Sequence, residues 1–218
     1  MSLLKLGSLA GSLRGAAGNA VYVRSPYGTI LRDRPAVWNE PTPAQIDCRQ
    51  RMTRVGGAWS RLSLAEAAAW KRYAQALAAS EPPSDGAPPP NAQQVFVRLG
   101  LKVLQAEPGA TVPPLPPTNA FLGDAVVVSA EALSGSLRFT ASAPNAPGIL
   151  TELLIQPLRS VHRRTFPSRY RTAAFVPFSG GAYDVAVKPG VFAAAYRFVR
   201  AATGQETGIA ELGVFVVR

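Results

Sequence analysis

A single cysteine, Cys48, and a single histidine, His162, occur among the 218 residues. No disulfide framework can form within the chain. A structural zinc site, which needs about four nitrogen or sulfur ligands, has no ligand set to draw on. Charge is also sparse: Asp, Glu, Lys and Arg make up 17% of the residues, against roughly 25% in an average soluble domain. Acids are the scarcer sign, 13 against 23 bases, so chemistry by clustered carboxylates has little raw material. No run reaches the roughly 18 apolar residues of a membrane-spanning helix. The opening MSLLKLGSLAGSLRGAAGNA holds Lys5 and an apolar stretch, but Gly7, Gly11 and Arg14 interrupt it below signal-peptide length, and it reads as part of the mature protein.

What the chain does hold is 47% hydrophobic residues, 19 glycines and 20 prolines. At this length roughly 70% of the surface of the unfolded chain can be buried, in one or two domains. Composition shifts at EPPSDGAPPP (81–90) and TVPPLPP (111–117), and such stretches favour extended polyproline conformations that end helices and separate modules. They predict a region 1–110 with an N-terminal arm, a hairpin and helices, a linker at 111–117, and a second domain at 118–218. In the first region, Val21 and Val23 precede Ser25-Pro26-Tyr27-Gly28, and Ile30 follows it, the pattern of a β-hairpin. Thr42-Pro43-Ala44-Gln45 then supplies a capping hydroxyl, a first-turn proline and a Gln to reach back. Cys48, Met52, Val55, Trp59 and Leu62 follow at helical spacing, a stripe on which Cys48 is expected to be a small buried hydrophobe. Ser63-Leu64-Ala65-Glu66 opens a second helix with Trp70, Ala74 and Leu77 on one face, completing a helical hairpin. Asn91 with Gln94 opens a third, carrying Phe96, Leu99 and Val103 to a stop at Pro108-Gly109.

From Asn119 the apolar period switches to two. Runs at 124–129, 136–142, 149–156, 170–178, 182–187, 192–200 and 212–217 predict seven strands, the count of an immunoglobulin-type sandwich. Phe192, Ala194, Tyr196 and Phe198 should share the core face, leaving Arg197 and the neighbouring alternates to solvent. The expected class is therefore α+β: an N-terminal β-hairpin and helical hairpin, then a seven-stranded immunoglobulin- or fibronectin III-like β-sandwich.

The run Tyr196-Arg197-Phe198-Val199-Arg200-Ala201, followed by Thr203-Gly204, resembles the sixth strand and turn of fibronectin type III domains. A longer order of motifs covers most of the chain. It begins with Gly15-Ala16-Ala17-Gly18-Asn19-Ala20-Val21 and an Arg-flanked hairpin through Arg34-Pro35. Pro41-Thr42-Pro43-Ala44-Gln45, Ala58-Trp59, Ala69-Trp70 and Gln94-Val95-Phe96-Val97-Arg98 follow. This order resembles a family of uncharacterised bacterial and phage-associated proteins. The resemblance implies a helical middle and a C-terminal sandwich, and a place in a phage or phage-like particle made in the bacterial cytoplasm, with extracellular assembly as the variant. It carries over no catalytic residues.

Glycines 7, 11, 15 and 18 are not followed by the Lys-Ser/Thr of a phosphate loop, and no βαβ pattern surrounds them. They read as positions of close backbone approach in an arm. His162 precedes Arg163-Arg164, whose fixed charges disfavour the protonated form a general acid needs. No G-x-S-x-G elbow is present. Trp59 and Trp70 are expected in the helical core. Catalytic, cofactor and metal residues are therefore assigned as none.

Basic residues exceed the ordinary expectation. Residues 1–72 carry 11 Lys+Arg against 4 Asp+Glu, including Arg24, Arg32 and Arg34 on the hairpin. A second cluster, Arg159, His162, Arg163, Arg164, Arg169 and Arg171, follows the third sandwich strand. Guanidinium groups suit carboxylates at protein interfaces as well as phosphates. The eight arginines are accordingly candidate partner contacts. The partners expected are other copies of the chain and further structural subunits, with nucleic acid as the alternative. The functional expectation is a non-enzymatic, self-associating structural subunit.

Overall fold

The structure is a computed structural model describing residues 2–4, 14–34, 42–80 and 88–218. The readings placed on Lys5, Gly7, Gly11, Pro35, Pro41 and most of the 81–90 stretch lie outside these residues. Contacts divide the chain into two compact units, Met1–Ile46 and Asp47–Arg218. The helix Pro43–Trp59 spans the division.

The first unit is an antiparallel sheet of β1 (Ser2–Leu4), β2 (Gly15–Ala17), β3 (Ala20–Ser25) and β4 (Gly28–Asp33), ordered β1-β4-β3-β2. The expected hairpin forms its centre: Ser25 pairs with Gly28 across Pro26-Tyr27, and the Ser25 hydroxyl accepts the Tyr27 N–H at 3.3 Å. The Gly18-Asn19 turn joins β2 to β3, with Gly18 at φ 57°, a conformation that two-residue hairpin loops need and glycine adopts freely. Val21, Tyr22, Val23, Ile30 and Leu31 are all only half-buried. Among residues 14–34 and 42–46 of this unit, Thr29 alone is buried.

Three helices follow, each opened by a reciprocal cap. They are α1 (Pro43–Trp59), α2 (Leu64–Ser80) and α3 (Ala92–Ala106). Gln45 N–H donates to Thr42 at 3.4 Å, Glu66 N–H to Ser63 at 3.3 Å and Gln94 N–H to Asn91 at 2.8 Å. In each case the third residue accepts the cap's own N–H in return. Such caps each contribute about 1 kcal/mol. Val55, Trp70, Ala74, Val95, Phe96, Leu99 and Leu104 form the shared core. The Phe96 ring meets Trp59 at 5.2 Å and Trp70 at 5.1 Å.

The helical stripe corrects one expectation: Cys48 is exposed, as is Met52 at 51%. In α1 only Val55 is buried. The stripe is real, but a face is buried only where another element covers it. The 111–117 stretch is packed on the helices. The Trp70 indole N–H donates to Pro114 O at 2.8 Å, Val112 joins the helical core, and Arg54 donates to the carbonyls of Pro108 and Ala110.

Seven strands complete the second unit: β5 (Val128–Leu133), β6 (Ser136–Ala141), β7 (Ile149–Leu158), β8 (Arg171–Val176), β9 (Ala182–Ala186), β10 (Gly190–Arg200) and β11 (Ala210–Val217). They form two antiparallel sheets, β5-β6-β9 and β11-β10-β7-β8, so the C-terminal part is β-sandwich-like. Val128, Leu137 and Phe139 from the first sheet meet Leu153, Ala194, Phe198 and Val217 from the second in one core. The first strand starts at Val128, four residues later than its apolar run suggests, because the Ser134-Gly135 turn fixes the pairing of Leu133 with Ser136.

A further correction concerns the other face of β10. Ala193, Ala195 and Val199 are fully buried and Arg197 largely so. The four-stranded sheet is thus covered on both faces. Ala193 and Ala195 pack with Leu154 and Tyr170, and Lys102 of α3 reaches Glu152 of β7.

Candidate functional site

Two groups of charged side chains occur on or beside the outer face of β7. Alternation places Glu152, Leu154 and Gln156 on this face, and all three are buried.

At Glu152 lies a neutral quartet. Its carboxylate, 0% exposed, accepts from Lys102 Nζ at 3.0 and 3.2 Å, from Arg197 Nε at 2.7 Å, and from the Thr172 hydroxyl. Glu206 Oε2 lies 3.2 Å from Lys102 Nζ and 3.0 Å from Arg197 Nη1, as ion pairs without an aligned hydrogen bond. Burial by itself would raise the Glu152 pKa. The hydrogen bonds from Arg197 and Thr172 and the charges of Lys102 and Arg197 outweigh it, holding the carboxyl below its ordinary value. The group is a clamp between α3 and the sheet. Sequence reading missed it, although a Glu inside ILTELLIQ and a Lys inside LGLKVL are charges at core-facing positions.

The second group is the basic connection between β7 and β8, which is held in place at several points. Gln156 Oε1 accepts the Phe166 N–H at 3.2 Å. The Thr165 hydroxyl donates to the Glu211 carboxylate at 3.1 Å. Pro167–Arg169 forms a single 3-10 turn. Tyr170 then plugs the covered face of the sheet, where burial and the adjacent Glu211 charge push its phenol up to about 12.

This folding-back brings Arg159, Arg163, Arg169 and Arg171 to one open cleft of about 610 Å³, shared with Gln156, Pro157 and Leu158. No acidic residue lines it among the described residues. Arg164 lies outside the lining, its guanidinium 6.0 Å from the Phe166 ring centre, with Arg169 at 5.1 Å from the same ring. His162 is exposed and also outside the lining. Among the described residues, none of these five arginines has a carboxylate partner, whereas Arg138 is paired with Asp184 at 2.8 Å.

The hairpin arginines are arranged differently. Pairing of Val21 with Arg32 and of Arg24 with Thr29 puts Arg24 and Arg32 on opposite faces of the sheet. Arg34 follows β4, its N–H donating to Asn19 O at 2.7 Å. Arg24, Arg32 and Arg34 are exposed, but they do not form one patch.

The cleft can hold an anion by charge and by guanidinium geometry. Its described lining residues include no nucleophile and no carboxylate for acid–base work. No group of three His, Cys, Asp or Glu side chains converges among the described residues. No helix among them is long and apolar enough to cross a membrane. No family model, curated protein or solved structure matches the chain.

Proposed function

We propose that this chain is a structural, non-enzymatic subunit of a larger protein assembly such as a phage-like particle, associating with other copies through its N-terminal sheet. One observation carries the reading. Strands β2, β3 and β4 of this sheet have no fully buried apolar side chain, yet a sheet gains its stability by covering an apolar face. A unit of this length is also close to the size at which folding alone needs outside help. Val21, Val23 and Ile30 share one face and are the surface a neighbouring copy would cover.

The C-terminal part fits this reading as a fibronectin III-like spacer. Seven strands divide three and four, and β8 lies beside β7 instead of joining the β5-β6-β9 sheet. In an immunoglobulin constant domain, by contrast, the fourth strand belongs to the sheet of the first, second and fifth. A phage-like particle would be assembled in the bacterial cytoplasm before any release.

Sedimentation of the full chain at micromolar concentration tests the proposal. Oligomers are expected, reduced to monomer by Ile30→Glu or by removing residues 2–18, which hold β1 and β2. A monomeric wild type with unchanged sedimentation in both variants would overturn it.

A further inference from the structure

We propose that the arginine cleft between β7 and β8 binds the phosphate backbone of single-stranded nucleic acid, with Arg159, Arg163, Arg169 and Arg171 as the phosphate ligands. The inference is independent of the N-terminal sheet and of self-association.

Four guanidinium groups share one cleft with no carboxylate among the described residues that line it. The interior cations Lys102 and Arg197, by comparison, are each satisfied by two carboxylates. A cluster of like charges left unpaired is at its lowest free energy with an anion bound, and planar guanidinium forks match phosphate oxygens two at a time. The cleft is also set in advance. Gln156, only 3% exposed, ties Phe166 to β7 through its side-chain oxygen, which leaves its amide N–H groups as donors. The Phe166 ring supports Arg169 at 5.1 Å, reducing the ordering that binding must impose.

The surroundings select among anionic partners. A protein interface has an apolar core within a polar rim. Around this cleft the only large exposed apolar side chains of the connection are Val161 and Phe166. Interfaces with nucleic acid are more polar and much more positive. A concave basic groove with the Phe166 ring beside it, against Arg169, suits a flexible strand that can enter it and stack a base at its edge.

The test is fluorescence anisotropy of the full chain with a labelled 15-nucleotide oligothymidylate between 50 and 200 mM KCl. With about 0.7 counterion released per phosphate on a single strand, four contacts give a log–log slope of about −2.8 and an affinity loss of about 50-fold over this range. The variant carrying Arg→Gln at 159, 163, 169 and 171 should lose at least about tenfold in affinity at 50 mM and flatten the slope by about 2 to 3. Its melting temperature should be unchanged, because all four side chains are exposed. If that variant fails to fold, Arg163→Gln alone should flatten the slope by about 0.7. The control with Arg24, Arg32 and Arg34→Gln should keep the wild-type slope. Three outcomes would each overturn the proposal. These are an absence of binding at 50 mM, an equal slope in wild type and cleft variant, and tighter binding of a 15-residue oligoglutamate than of the oligonucleotide. The last of these would make the cleft a protein-docking site. Stronger binding of a 15-base-pair duplex through the same arginines would refute the commitment to single strands.

Discussion

Replacing Glu152 by Gln removes one charge from the buried quartet while keeping the side chain's volume. In the wild type, two cations and two carboxylates balance; in the variant, Lys102 and Arg197 share Glu206 alone, at 3.2 and 3.0 Å. Removing one partner of a buried pair costs about 3–5 kcal/mol. Glu206 still compensates part of the charge and the Gln oxygen can accept from Thr172, so the lower end, about 3 kcal/mol, is expected. For a chain of this size that is a fall in melting temperature of about 6–12 °C. Urea unfolding followed by tryptophan fluorescence reads it directly, because Trp59 and Trp70 report on the helical core that carries Lys102. The pH dependence has a fixed sign. Glu152 has a folded pKa below its ordinary value of 4.5, so its contribution is complete above that value and is lost as pH falls through the lower folded pKa. Gln does not titrate, so the gap between wild type and variant should be constant near neutrality and close in acid. A loss under about 0.5 kcal/mol at pH 7 would refute the clamp, since ordinary surface changes fall in that range. A gap that widened on acidification would refute the assigned charge state.

Gly204, at φ 71°, has no room for a side chain: a Cβ there would lie 2.1 Å from Leu99 O. Gly204→Ala should destabilise by about 2–4 kcal/mol in the same urea assay, and a neutral result would contradict the docking of this turn on α3. The fragment 118–218 should melt cooperatively but at lower temperature than 91–218, which retains α3 and Lys102; equal melting temperatures would show that the helix adds nothing to the sandwich. In sedimentation, Ile30→Glu should reduce the proposed oligomer to monomer. In anisotropy, the four-arginine variant should lose salt-sensitive oligothymidylate binding while the hairpin variant keeps it.

What could be read in the sequence was local. All three capping boxes involve residues three apart, and the caps, apolar spacing and turn residues are written next to one another. The 159–171 basic cluster was visible for the same reason, since one connection carries all five arginines. The separation of Arg24 from Arg32 required the hairpin register, and Cys48 required knowing where α1 lacks a covering element. The burial of both β10 faces left a trace in Ala193, Ala195 and Val199, because strands covered on both sides read as near-continuous apolar runs. Arg197 masked that trace. Its place inside depends on Glu152 directly across the strand pair and on Lys102 and Glu206 beyond, a grouping drawn from three separate elements that no spacing rule exposes.

The quartet also bears on why the cleft arginines have no carboxylate partner among the described residues. Gln156 follows Glu152 by four positions along β7, about 13 Å at the rise of an extended strand. Glu152 and Glu206 are moreover already matched by Lys102 and Arg197, so the quartet has no net charge with which to offset the cleft. Glu211, the acidic residue held to the connection, is bound by the Thr165 hydroxyl and faces the phenol of Tyr170, and it does not line the cleft. The nearby described carboxylates thus fasten α3 and the connection to the sheet, which leaves Arg159, Arg163, Arg169 and Arg171 without a carboxylate partner among the described residues and available to the phosphates proposed above.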